Sequence, residues 1–134
     1  MSASSRTGTV VAPAAIAPPL GLYSHAIAAP GSGTWLHVSG QVGVLPDGSL
    51  ATGFEAQAHA AWRNLVAVLA EAGMGVEHLV KLTTYLVDPA HLPLLNPVRS
   101  GYLQSARPAS TLVVVRALAR PEWLFEVEAV AWRP

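Results

Sequence analysis

Polar and apolar residues alternate strictly through LFEVEAVAW (124–132), a pattern that predicts a β-strand. Phe125, Val127, Ala129 and Ala131 share one of its faces, while Glu126 and Glu128 share the other. TWLHVSG (34–40) reads as a strand that stops at glycine, and HLVKLTTYLVD (78–88) reads as a further one. A short strand around 23–28 precedes the turn Pro30-Gly31-Ser32-Gly33, and PDG (46–48) marks another turn. The period changes to that of a helix over 52–73, where Phe54, Ala58, Ala61, Leu65, Leu69 and Ala72 recur on one face. Gln57, Arg63, Asn64 and Glu71 fall on the opposite face, Thr52 and Glu55 form a T-x-x-E capping box, and Gly73 ends the run. A second helix is expected to start at Asn96 as N-cap with Pro97 in the first position, and to end before Pro108. ASTLVVVRAL (109–118) then pairs with 124–132 as a hairpin, across a loop containing Pro121.

The order β-β-α-β-α-β-β describes an α+β domain, a sheet with two helices on one face. No repeat or composition shift divides the chain, so 1–134 is expected to be a single domain, with 1–8 flexible. At this length folding buries roughly two-thirds of the extended surface. Composition sharpens the picture. Hydrophobic residues make up 51% of the 134 and charged residues only 12%, about half the ~25% of an average soluble domain. So few charges cannot cover the whole exterior, and another copy of the chain is the expected cover for the second face of the sheet.

Charge and residue types exclude several functions. Lys+Arg and Asp+Glu both number 8 and the cations are scattered from Arg6 to Arg133, which argues against nucleic acid. Mean hydropathy is +0.39, yet no run approaches the ~20 apolar residues of a membrane helix. The chain has no cysteine, which removes disulfides, thiolate metal sites and Cys nucleophiles. His25, His37, His59, His78 and His91 show no ligand spacing, so no metal is expected. Pro13, Pro18 and Pro19 interrupt any signal-like apolar stretch, leaving the cytoplasm as the expected compartment.

Four segments break the apolar pattern: GLYSHA (21–26), VSGQVG (38–43), Asn96 ahead of a helix, and RPASTLVVV (107–115) with FEVEAVA (125–131). Together with AEAGMGVEHLVKLTTYLVD, and in this order, they make the chain from about residue 12 to 132 resemble the Rid family, the RidA/YjgF imine and enamine deaminases. The resemblance implies a chorismate-mutase-like fold with a mixed sheet, and a homotrimer with a small-molecule ligand in each subunit cleft. It also implies hydrolysis of a reactive imine or enamine to ammonia and a carbonyl product, without a cofactor. By the same resemblance the substrate-binding positions are Tyr23, Ser39, Gly40, Asn96, Ser110 and Leu112, the last through its backbone. Glu126 is the catalytic carboxylate that positions or activates the attacking water.

One departure stands out. By the same resemblance, most catalytically competent family members carry an arginine directly after Pro-Ala, where it grips the substrate carboxylate; here Pro108-Ala109 is followed by Ser110. A charge-assisted bidentate pair contributes roughly 1.5–3 kcal/mol against ~1 for a neutral hydrogen bond, and serine matches neither the charge nor the reach. Arg107 has the wrong strand parity, and Arg116 lies roughly 20 Å along the strand. Ser110 is not expected to be a nucleophile, since no histidine stands in a triad relation to it. His25 and His37 are expected to pack or hydrogen-bond locally, the four tryptophans to fill core or interface, and Glu128 to pair with Arg116 or Lys81. Three functions compete: an imine hydrolase of altered substrate range, a non-catalytic trimer that binds a metabolite, and a ribonuclease or translation inhibitor. The sparse charge disfavours the last.

Overall fold

The computed structural model describes residues 9–134, so the expectation of a flexible 1–8 lies outside it. A two-stranded ribbon pairs β1 (Thr9–Val11) antiparallel with β2 (Ala26–Ala28). The main sheet contains β3 (Thr34–Val42), β4 (Leu79–Leu86), β5 (Ala109–Val114) and β6 (Phe125–Arg133), in the spatial order β3-β6-β4-β5. β6 runs antiparallel to both its neighbours, whereas β5 runs parallel to β4, so the sheet is mixed.

That order overturns the expected hairpin. β5 and β6 follow one another in the chain yet have β4 between them in space. The reason lies in their burial patterns. Phe125, Val127, Ala129 and Ala131 are all buried, which demands a central place, whereas residues 111–114 stay exposed, as suits an edge.

Two helices, α1 (Phe54–Glu71) and α2 (Leu92–Leu103), pack against each other, and α1 lies across β3 and β6. Phe54, Ala58, Ala61, Leu65 and Leu69 enter the core as the helical spacing predicts. Ala72 is only partly buried. Gln57 was expected on the wet face but is buried, its amide taking the Leu124 N–H at 2.8 Å and donating to the Glu122 carbonyl at 3.2 Å. The capping box does not form: Gly53, at φ 87°, is the N-cap, and it leaves Thr52 one residue too early to cap.

The second helix starts four residues before Asn96. A 3-10 turn, Pro89–His91, leads into it, capped by the Asp88 carboxylate accepting the Ala90 N–H at 2.9 Å. Pro93 therefore takes the helix-start position, and Pro97 sits inside the helix on an exposed face, where it forfeits one backbone bond. Of the tryptophans, Trp62 is fully buried and stacked on Tyr102, Trp132 is buried with its indole N–H on Ser32, and Trp35 is exposed.

Candidate functional site

The two acids of β6 stand on the sheet face opposite the helices, since their neighbours Phe125, Val127 and Ala129 point into the core. β3 carries a bulge beside them. Val38 pairs with Ala129 and Gln41 with Val127, so Ser39 and Gly40 together oppose the single residue Glu128. The extra residue switches the parity of the strand and brings Gly40 hard against the Glu126 side chain. A methyl group on Gly40 would overlap the Glu126 carboxylate. Gly40 thus serves as the floor on which that carboxylate rests, and only a residue without Cβ fits.

Glu126 is half-buried and, among the described residues, no cation is in ion-pair contact with it. Burial raises its carboxyl above the usual carboxylate range, and the negative charge of Glu128 raises it further. Glu128 is exposed and takes a partner that the sequence reading missed: the Tyr85 hydroxyl donates to Glu128 Oε1 at 2.6 Å. Neither Arg116 nor Lys81 fills that place, for Lys81 instead donates to Thr111 Oγ1 at 2.6 Å. The bond to Glu128 pushes the Tyr85 phenol up. A signal for Tyr85 was present, because alternation in KLTTY sets Lys81, Thr83 and Tyr85 on one polar face. In register, Tyr85 is the cross-strand partner of Glu126, and Thr83 that of Glu128.

The remaining candidates gather elsewhere. Ser110 and Leu112 pair in register with Leu82 and Thr84, both buried beneath the helices, so their side chains point to the helix side. Tyr23 and Ser24 are tied to the start of the same strand. The Ser24 N–H donates to the Pro108 carbonyl at 2.9 Å and its hydroxyl donates to that of Arg107. Tyr23 sets its ring edge-on to His25, whose Nε2 lies 2.7 Å from the Ala17 carbonyl, and its hydroxyl accepts the Leu20 N–H. Asn96 is exposed on α2, its Oδ1 accepting from Arg99 Nε at 2.9 Å.

The chain therefore carries two groups that it does not itself bring together. Glu126, Ser39 and Gly40 occupy the outer face of β3 and β6. Ser110 and Leu112 lie on β5, on the other face and two strand spacings away, roughly 10 Å. A pocket of about 290 Å³ lined by Val44, Gly48, Leu50, Arg120, Glu122 and Trp123 contains none of these residues. Among the described residues no cluster of His, Asp and Glu could hold a metal ion, and no helix is long and apolar enough to cross a membrane.

Comparison with known proteins follows the same geometry. The family model described as Endoribonuclease L-PSP matches residues 12–133. The solved structure of a conserved Rid-family protein of unknown function, YyfB from Yersinia pestis, superimposes with TM-score 0.82 at 36% identity, covering 92% of this chain and 96% of that one. The chain belongs to the Rid family. Its mixed sheet with two helices on one face is the chorismate-mutase-like Rid fold. Among Rid relatives, a RutC family protein of Aquifex aeolicus is 37% identical over 103 residues, 75% of this chain and 80% of its own length. The 2-iminobutanoate/2-iminopropanoate deaminase of Mus musculus is 35% identical over 125 residues, 92% of this chain and 87% of its own.

Proposed function

We propose that this Rid protein is a hydrolase of a reactive imine or enamine, releasing ammonia and a carbonyl product, with Glu126 as its acid–base group. The observation that carries the reading is the half-buried Glu126 carboxylate, raised in pKa and seated on Gly40 with no cation among the described residues in ion-pair contact with it. A carboxylate in that state can take a proton from water as the oxygen adds to the C=N carbon. It can then return that proton to nitrogen, giving a neutral carbinolamine, and carry the carbinolamine hydroxyl proton to the same nitrogen, so that the C–N bond breaks, ammonia leaves and the carbonyl forms. The net reaction adds one water, and no redox step or cofactor enters it.

We further propose that the working form is a homotrimer in the cytoplasm. The split between the two groups supports this: a neighbouring copy would bring the Ser110 and Leu112 strand, with Tyr23 and Asn96, against the Glu126 face of the next. The exposed Leu112, Val113 and Val114 of β5 are apolar surface of the kind an obligate interface covers. The clefts so formed would hold the small-molecule ligand. Because Ser110 stands where the arginine is expected, the substrate range differs from that of relatives that carry it.

Imines generated in place by an amino-acid oxidase, with ammonia release timed against a blank, test the reading. Acceleration that disappears in Glu126→Gln supports it, while unchanged rates in that variant remove Glu126 from the mechanism. The missing arginine favours one other reading, a trimer that binds the metabolite without turning it over; its signature is ligand-dependent thermal stabilisation with no ammonia. Ribonuclease activity is disfavoured by 8 scattered cations matched by 8 acids.

A further inference from the structure

Just past the end of β3 and just before β6, two loops enclose the hollow of about 290 Å³ that contains none of the candidate residues. Val44, Gly48 and Leu50 form one wall, and Arg120, Glu122 and Trp123 form the other. Both walls are held by side-chain amides of α1. Asn64 Nδ2 donates to the Val42 carbonyl at 3.3 Å and to that of Val44 at 3.0 Å. Gln57 takes the Leu124 N–H at 2.8 Å and donates to the Glu122 carbonyl at 3.2 Å. The first loop is also closed on itself, by a bridge between Val44 and Leu50. At its tip the Asp47 carboxylate accepts the Ser49 N–H at 2.9 Å and the Ser49 hydroxyl at 2.6 Å. A hollow with fixed walls needs little ordering when a ligand enters. Its volume falls at the lower end of the ~300–1,000 Å³ of small-molecule sites, which suits a ligand of few heavy atoms.

The lining selects that ligand. Val44, Leu50 and Trp123 are half-buried and apolar, whereas Arg120 and Glu122 are exposed. The guanidinium carbon of Arg120 lies 5.7 Å from the centroid of the Trp123 ring, so the indole steadies the charge at the rim. Among the described residues, Arg120 and Glu122 form an ion pair neither with each other nor with another side chain. One open charge of each sign admits a zwitterion and disfavours a singly charged ligand, which one of the two would repel. A guanidinium matches a carboxylate, and a carboxylate accepts from an ammonium. We propose that this hollow is a second ligand site, for a free α-amino acid with an apolar side chain. Arg120 takes its carboxylate, Glu122 its ammonium, and Val44, Leu50 and Trp123 its side chain. The site shares no residue with the Glu126 face, so it stands or falls independently of the hydrolase.

L-Leucine is the probe, titrated into the full-length protein, and three relatives each lack one of its features. Leucinamide lacks the carboxylate, N-acetyl-leucine lacks the ammonium and glycine lacks the side chain. Leucine should shift the Trp123 indole N–H resonance and bind about fivefold more tightly than each relative, the upper end for exposed ion pairs. Arg120→Gln should lower leucine affinity to that of leucinamide and leave leucinamide binding unchanged. Glu122→Gln should do the same against N-acetyl-leucine. Both substitutions fall at exposed side chains and keep the backbone bonds of the loop, so circular dichroism should stay native. Leucine affinity should also survive Glu126→Gln, which sets the binding apart from the proposed reaction centre. No Trp123 shift at millimolar leucine, equal affinity for leucine and its relatives, or wild-type leucine affinity in both loop variants would overturn the proposal. So would a leucine affinity that Glu126→Gln abolishes.

Discussion

At the scale of the residue, Glu126 trades stability for chemistry. The folded state raises its carboxyl pKa, first through burial and then through Glu128, so folding binds that proton more tightly than the unfolded chain does. The stabilising contribution of such a group is complete below the unfolded pKa and is lost as pH rises through the folded one. Glu126→Gln should therefore melt above the parent near neutral pH, and thermal melts should show the gap closing below the ordinary glutamate range. In the same variant ammonia release should fall about 10²- to 10⁴-fold. Glu128→Gln removes the like charge, so the acid limb of the rate profile should move to lower pH. Gly40→Ala makes a sharper test of position. The far end of a flexible side chain yields before backbone does, so circular dichroism should stay native while turnover drops at least tenfold. The sequence made Glu126, its outward face and its proximity to an SGQ segment legible. It did not reveal Tyr85 as the partner of Glu128, because that pairing depends on which strand lies beside β6, and strand order is not written in local alternation.

At the scale of the element, local patterns were reliable where burial enforces them and misleading where a single residue overrides them. The period-3.6 stripe located α1, yet Gln57, three residues after Phe54 and four before Ala61, lies at the border of that stripe and is buried, where its amide serves the Leu124 N–H and the Glu122 carbonyl. Gln57→Ala would strand the Leu124 N–H and should cost about 1–3 kcal/mol, read from denaturant unfolding. Gly43 presses on the same point: a Cβ there would come within 2.5 Å of the Gln57 Cα, leaving no slack between β3 and α1. α2 starts at Leu92 and not after Asn96, because the Asp88-capped 3-10 turn leads straight into it and Pro93 falls in its first turn. The bulge at Ser39–Gly40 has no periodic signature at all. It appears in sequence only as a strand that breaks parity at a glycine, which also reads as a strand that ends.

At the scale of the whole molecule, the sheet has one face covered by the two helices and one without a helix, with an apolar edge at β5. Sedimentation should find three copies. Val113→Asp, placed on that edge, should yield monomers that keep their helical signal and lose turnover, since each proposed site draws on two chains. The low charge content is the sequence's argument for such an assembly, and the topology is consistent with it: β5 and Glu126 of one chain lie on opposite sides of β4. The same strand order has another consequence, in time rather than space. β6, which a ribosome makes after every other strand, is the one through which β3 and β4 are joined. Until it emerges the nascent polypeptide can pair only β4 with β5 in the main sheet, leaving an open slot beside β3 that exposes Leu82 and Trp62. Synthesis must thus run ahead of the closing of the main sheet.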